Sequence, residues 1–169
     1  MNRKKIQLVV FWIFTVIFFE CIYKMTIFKN IIDGDFIQML FFCIPSSLLI
    51  YLFTTLFSEK LNRRISTIIL LLMFFIFFAQ MVYFKVYNGV FSIYSMFNGA
   101  QVFGFLNSII RVITENIIPI LILLIPIISL FFGINKFTLE RKNKKYYIIT
   151  FTGLLFSYIL PILLINLSK

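Results

Sequence analysis

Histidine is absent from the 169-residue chain, and cysteine and acidic residues are scarce. Without histidine, the chain lacks the residue that most often ligates zinc or acts as a general acid or base. The two cysteines lie inside apolar runs and show no CxxC spacing, which argues against a disulfide or a metal site. Of the six acidic residues, only Asp33 and Asp35 are close together, and Gly34 between them favours a solvated turn over a magnesium site. The sequence therefore predicts no catalytic residue, no metal ligand and no cofactor.

Hydrophobic residues make up 62% of the chain, although its net charge is +10. A soluble domain of this length is below half apolar, because much of its surface stays in water. The basic residues form short clusters between long uncharged runs, which is typical of the loops of membrane proteins. A nucleic-acid-binding domain would instead need a basic face on a water-soluble body. The composition thus predicts a membrane protein whose partners are lipids, and it argues against nucleic acid.

Five segments are long and apolar enough to cross a bilayer, for which a helix needs about 20 residues. The four prolines of the chain lie inside these segments and are expected to kink them. Bulky residues precede Cys21, so the first segment predicts an uncleaved anchor and not a signal peptide. The predicted spans, which together form one domain over 1–169, are residues 6–23, 36–58, 65–84, 116–135 and 146–168.

The distribution of lysine and arginine predicts the orientation of the spans. With the N-terminus in the cytoplasm, most of the 16 basic residues fall in cytoplasmic segments, as the positive-inside rule requires. Five spans then place the C-terminus outside. The predicted localisation is the cell membrane, as a multi-pass protein.

Residues 86–110 also lack charge, but they are rich in asparagine, glycine and serine, so inserting them into lipid would be costly. A span there would also move the basic segment 136–145 outside. We predict instead a helix over about 98–115 that lies in the outer interface, because its polar and apolar residues recur at helical spacing. Asn98 and Gln101 resemble a capping box that could begin this helix. The predicted fold class is all-α, with five transmembrane helices and an outer interfacial amphipathic helix between spans three and four.

Polar and aromatic residues at the predicted outer surface are candidates for binding a lipid headgroup, since cations there could hold a phosphate. An aromatic belt with a snorkelling lysine is the alternative, with Arg111 and Glu115 merely paired along one helix. Glu20, near the outer end of the first span, is a further functional candidate, or it pairs with Lys24. The predicted headgroup-binding residues are Tyr83, Lys85, Asn98, Gln101, Arg111 and Glu115.

The run QMVYFKVY at residues 80–87, followed by FSIYSM at 91–96 and GAQV at 99–102, resembles the membrane domain of the lipoteichoic acid synthase family. These enzymes are phosphoglycerol transferases of the alkaline phosphatase and sulfatase superfamily. The resemblance implies five spans, a cytoplasmic N-terminus and an outward catalytic domain after the fifth span. The charge distribution predicts the same layout independently.

The resemblance further implies transfer of glycerol phosphate from phosphatidylglycerol at the outer leaflet. The family's extracellular domain, which supplies a threonine nucleophile and manganese ligands, has no counterpart in these 169 residues. We therefore expect the membrane anchor and lipid-presenting part of a truncated or split enzyme, with a separate extracellular catalytic domain as partner. The richness in isoleucine, phenylalanine, lysine and asparagine suggests a Gram-positive bacterium with an AT-rich genome, where such enzymes build the cell wall.

Two other interpretations stay open. The first is a stand-alone small membrane protein, such as a transporter subunit or an assembly partner. A transporter should show inverted repeats and polar residues near the midplane, and the predicted spans are almost entirely apolar there. The second is the membrane part of a phosphoethanolamine transferase, which has a similar layout.

Overall fold

The computed structural model describes residues 3–30, 32, 34–90, 104–133, 137 and 143–167, apart from the side chains of 3–7, 160–161 and 163–167. No strand occurs in these ranges, which confirms the all-α prediction for the described part of the chain. The helices are α1 (Arg3–Phe28), α2 (Phe36–Phe53), α3 (Glu59–Tyr87), α4 (Leu106–Glu115), α5 (Ile117–Leu123), α6 (Ile125–Gly133) and α7 (Lys144–Leu167).

Three of the helical segments are long and apolar enough to cross a membrane, namely Leu8–Phe28, Phe36–Phe53 and Glu59–Tyr87. Only 22% to 33% of the most apolar stretch of each is buried inside the protein. Large apolar side chains therefore cover the outside of these helices, and a surface of this kind is stable in lipid and not in water. A fourth candidate is the pair formed by α4 and the segment Ile117–Gly133, which is bent by 73°.

The helix α7 coincides with the predicted fifth span. It is 24 residues long, but several side chains in its C-terminal half lie outside the described residues. Five membrane crossings therefore remain a prediction. Three of them, or four with the bent pair, have helices that are long and apolar enough to cross a membrane.

Aromatic contacts show which helix ends lie together. Phe28 near the end of α1 contacts Phe84 near the end of α3, with 5.7 Å between the ring centroids. Phe137, which follows α6, contacts Phe11 near the start of α1 at 5.5 Å. The helices α1 and α3 therefore run in the same direction, and α6 runs in the opposite one. We call the end with the starts of α1, α3 and α7 the basic end, and the end where α1 and α3 finish the distal end.

Two further contacts define the direction of α7 relative to α2. Tyr51, late in α2, lies 6.4 Å from Tyr146 at the start of α7. Phe42, one-third along α2, lies 6.2 Å from Tyr158 further along α7. The two helices are thus antiparallel, so consecutive apolar segments alternate in direction through the bundle.

The core lies between α1, α2, α3, α5 and α6. Trp12, the single tryptophan of the chain, lies at the centre of this core and is 0% exposed. Its indole Nε1–H has no hydrogen-bond acceptor among the described residues. Burial of such large side chains against one another contributes dispersion energy that lipid tails would match only partly. The buried cluster comprises Leu8, Trp12, Phe19, Tyr51, Leu70, Leu123 and Leu130.

A buried amide closes the short connection between α2 and α3 at the basic end. Asn62 is 0% exposed. Its Nδ2 donates to the carbonyl of Phe57 at 2.8 Å, and its Oδ1 accepts from the backbone N–H of Phe57 at 3.0 Å. Both backbone groups of Phe57 are therefore satisfied by one side chain, as in a strand pair. This contact fixes the reversal of the chain between the two helices.

The same end is joined to α7 by tyrosine hydroxyls. Tyr146 donates to the hydroxyl of Tyr51 at 3.0 Å, and Tyr147 donates to the carbonyl of Thr55. The carbonyl of Thr55 lies just beyond the end of α2, so it has no partner within a helix and needs such a donor where water is scarce.

The structure corrects one predicted boundary and bears on the predicted effect of proline. The second span was predicted to reach residue 58, but α2 ends at Phe53. Residues 54–58 form the reversal, in which both backbone groups of Phe57 bond to the side chain of Asn62 and not to a continuing helix. The fourth span is interrupted, as expected from the prolines inside it. It breaks at Leu124, two residues before Pro126, whose ring removes a donor and crowds the preceding turn.

Candidate functional site

The end of α3 carries two of the predicted headgroup-binding residues, Tyr83 and Lys85. The helix finishes at Asn88, which adopts the left-handed conformation at φ 52° and donates its N–H to the carbonyl of Phe84 at 2.8 Å. Lys85 therefore lies in the last turn, where a cation interacts favourably with the helix dipole. Tyr83 and Lys85 are both half-buried.

An aromatic contact joins this end of α3 to the start of α4. The rings of Tyr83 and Tyr87 are 4.6 Å apart, and the ring of Tyr87 meets that of Phe105 edge-on at 5.2 Å. Edge-to-face pairs of this kind are worth roughly 0.5–1.5 kcal/mol beyond the burial of their area. Tyr87 and Phe105 were not among the predicted site residues.

The helix α4 turns one side to the protein and the other outward. Ile109, Val112 and Ile113 are half-buried, and Arg111 and Glu115 are exposed. Leu106 and Ile110 are also exposed, at 45% and 58%, so its outward surface is partly apolar. An interfacial position fits such a helix, but its lipid contacts stay a prediction.

Arg111 and Glu115 form an ion pair on the outward side of α4. Arg111 Nε donates to Glu115 Oε1 at 2.8 Å, and the two side chains are 80% and 56% exposed. The hydrogen bond and the charge of Glu115 raise the pKa of Arg111, so the guanidinium stays positive at any physiological pH. In an exposed pair of this type another anion can readily replace the carboxylate, because the two side chains attract each other only weakly in a polar setting.

The structure thus places the described site residues in two pairs on neighbouring elements. Tyr83 and Lys85 lie on α3, Arg111 and Glu115 lie on α4, and Tyr87 with Phe105 connects the two helices. Asn98 and Gln101 lie outside the described residues, as does the first third of the predicted interfacial helix. Within the described part of the chain no group of three or more metal-ligating side chains occurs.

The remaining functional candidate, Glu20, interacts electrostatically with Lys24 one turn further along α1, as the sequence suggested. Lys24 is only 9% exposed, so this lysine is held inside the distal end.

Of the acidic turn at residues 33–35, Asp33 lies outside the described residues. Asp35 precedes α2, and its carboxylate makes no capping hydrogen bond. Asp35 and Lys24 both line a cleft between α1 and α2.

Comparison with protein-family models, with curated proteins and with solved structures finds no match to this chain.

Proposed function

We propose that this chain is a multi-pass membrane anchor that presents a lipid headgroup, as the membrane part of a phosphoglycerol transferase similar to lipoteichoic acid synthase. In this proposal the distal end faces the outer leaflet. A separate catalytic domain outside the cell removes glycerol phosphate from phosphatidylglycerol that the anchor holds. The proposal rests on the sequence resemblance and on the arrangement of charges and aromatic rings at the distal end.

The alternating helices supply the support for the orientation. The basic end gathers the starts of α3 and α7, with Lys60, Arg63, Arg64, Lys144 and Lys145. The described part of the distal end carries fewer basic side chains, and Asp35 and Glu115 accompany them. By the positive-inside rule the basic end belongs in the cytoplasm, which would put Lys85 and Arg111 at the outer surface.

The observation that carries the headgroup-binding part is the joint between α3 and α4. Tyr87 and Phe105 bring the last turn of α3, with Lys85, against a helix whose outward side carries Arg111. Tyrosine rings favour the depth of the headgroups, and cations there attract anionic lipid by about 1 kcal/mol each. The bend of 73° after α4 is what an interfacial helix followed by a span would require.

Lipid retention tests this proposal. The purified protein would be incubated in detergent with equal amounts of phosphatidylglycerol and phosphatidylethanolamine of the same chain length. Native mass spectrometry would then count the lipids that stay bound. We expect a preference for phosphatidylglycerol that falls about fivefold in Lys85→Gln, the ratio that corresponds to one interfacial charge, and falls further when Arg111→Gln is added.

Lys29→Asn is the matched control, because it removes one exposed charge at the same end outside the joint. Lys29 has a φ of 56°, and asparagine tolerates this conformation. The control should lower the preference less than Lys85→Gln does, because Lys29 lies outside the aromatic joint. Equal retention of the two lipids by the unchanged protein, or the same loss in the control, would contradict the headgroup-binding role at this joint.

The anchoring role needs its own test. The chain would be co-reconstituted in phosphatidylglycerol vesicles with a soluble sulfatase-like domain from the same genome, and release of diacylglycerol would be measured. We expect faster release with the chain present than with vesicles alone. An unchanged rate would contradict the split-enzyme proposal while leaving lipid binding intact.

A further inference from the structure

A cleft of about 520 Å³ opens between the end of α1 and the start of α2. One side is apolar and the other polar, so the cleft is amphipathic like a lipid at the interface. It lies at the distal end, because Phe28 on its wall contacts Phe84, the residue before Lys85. The lining residues are Lys24, Phe28, Asp35, Gln38, Met39 and Phe42.

Lys24 supplies a buried positive charge to this cleft. It is 9% exposed, and Glu20 interacts with it electrostatically from one turn earlier in α1. A buried ammonium is costly unless anionic groups surround it. The nearby side chain of Glu20 lowers that cost through its electrostatic interaction with Lys24. A cation held in this way is a fixed partner for an anionic oxygen that enters the cleft.

The mouth of the cleft offers hydrogen-bond acceptors. Asp35 is exposed, and its carboxylate does not cap α2, so both oxygens can accept. Gln38 is exposed one turn into the same helix and can donate and accept. A ligand that places an acidic oxygen on Lys24 must therefore present donors to Asp35, since a purely anionic group would meet a like charge there.

The apolar wall of the cleft favours an apolar group in the remaining part of the ligand. Met39 and Phe42 are half-buried, and Phe28 is 54% exposed. These three side chains line the cleft between the end of α1 and the start of α2. Methionine adapts its shape to irregular apolar partners. An acyl chain could follow this wall while its headgroup stays at the polar mouth.

We propose that this cleft binds a glycerophospholipid whose headgroup carries both a phosphodiester and hydrogen-bond donors, with the phosphate on Lys24 and the donors on Asp35 and Gln38. Phosphatidylglycerol, with two hydroxyls, and phosphatidylethanolamine, with an ammonium, share this chemistry. Phosphatidylcholine has the phosphate without a donor. As a site for phosphatidylglycerol, the cleft deepens the function proposed above and rests on it, whereas binding of a donor-bearing lipid stands by itself.

The test compares the three lipids one at a time on the purified full chain, with bound lipid counted by native mass spectrometry. Binding of phosphatidylglycerol or phosphatidylethanolamine should be about tenfold tighter than that of phosphatidylcholine, the ratio expected for a hydrogen bond to a charged group. Asp35→Asn should reduce this selectivity, because the amide accepts less strongly from the donors. Lys29→Asn should leave it unchanged.

Two variants block the cleft in different ways. Met39→Trp fills it without altering any charge. Glu20→Gln combined with Lys24→Gln removes the cation together with its neighbouring carboxylate, so that no buried charge is left alone. Both should weaken binding of the preferred lipid about tenfold, as loss of one charge-assisted contact implies. Circular dichroism checks that each variant keeps its helices, and Met39→Trp remains informative if the double variant does not fold.

The outcomes separate the two proposals. Equal binding of all three lipids, or unchanged binding after Met39→Trp, overturns the cleft as a headgroup site. A preference for phosphatidylethanolamine supports the cleft and contradicts the phosphoglycerol function. Loss of phosphatidylglycerol in Lys85→Gln with no effect of the cleft variants supports the proposed function and overturns this inference.

Discussion

Replacing Asn62 should destabilise the chain more than any other single polar substitution in the connection between α2 and α3. Its side chain makes two hydrogen bonds to Phe57, of 2.8 and 3.0 Å, and is fully buried. Asn62→Leu keeps a similar branched shape but leaves the N–H and the carbonyl of Phe57 without these partners. At about 1 kcal/mol for each lost bond with a partly buried partner, we expect a loss of about 2 kcal/mol in the free energy of unfolding.

The buried thiol of Cys43 provides the assay. Cys43 is 3% exposed, so a maleimide dye reaches it only when the bundle opens, and Cys21→Ser removes the background from the other thiol. Labelling is followed through an SDS titration in mixed micelles. The matched control is Thr67→Val, because the exposed hydroxyl of Thr67 only bonds back to the carbonyl of Arg63 at 3.1 Å. The control should change the free energy by less than about 0.5 kcal/mol.

Asn62→Asp adds a dependence on pH with a defined sign. An ionised carboxylate in this buried position has no hydrogen to donate to the carbonyl of Phe57, to which the amide of Asn62 donates. The protonated acid can donate to this carbonyl. Burial and this hydrogen bond raise the pKa of the introduced acid in the folded state above its unfolded value of about 3.9. The folded state then binds the proton more tightly, so stability should rise as the pH falls toward 4. If Asn62→Leu matched the Thr67→Val control, or if Asn62→Asp lost stability on acidification, the reasoning about this connection would be refuted.

Three further results are expected. Tyr147→Phe removes the donor to the carbonyl of Thr55 and should cost about 1 kcal/mol in the same labelling assay, and no loss would show that water replaces the hydroxyl. Glu115→Gln should leave the unfolding midpoint unchanged, because its pair with Arg111 is exposed, yet increase retention of phosphatidylglycerol by releasing the guanidinium; a decrease would count against Arg111 as a lipid contact. A phosphatase fused after residue 169 should be active outside the cell, and a cytosolic location would contradict five crossings.

The apolar runs predicted where helices occur, because length and hydrophobicity alone decide whether a segment can be helical in lipid. They did not predict where each helix ends. The helix α1 continues to Phe28, five residues beyond the predicted span, because lysine and methionine are good helix formers and neither Lys24 nor Met25 interrupts the helix. The early end of α2 is followed by a reversal that the side chain of Asn62 closes on Phe57, and no hydropathy pattern records such a contact.

Part of the candidate site could also be predicted from the sequence. The outward polar residues of α4 followed from their helical spacing, and the pair of Arg111 with Glu115 was the stated alternative. The contact of Tyr87 with Phe105 could not be predicted, because it depends on how two helices pack. Neither could the cleft at Lys24, because it depends on how the end of α1, with Lys24, packs against the start of α2, with Asp35 and Gln38.

The burial of Trp12 gives this protein an internal optical reporter. As the only indole in the chain, it alone determines the emission excited at the red edge of the absorption band, and no second tryptophan blurs the signal. Its Nε1–H has no acceptor in the described part of the chain, so its fluorescence should be shifted strongly to the blue. Opening of the bundle near α1 would therefore be visible as a red shift without any added label.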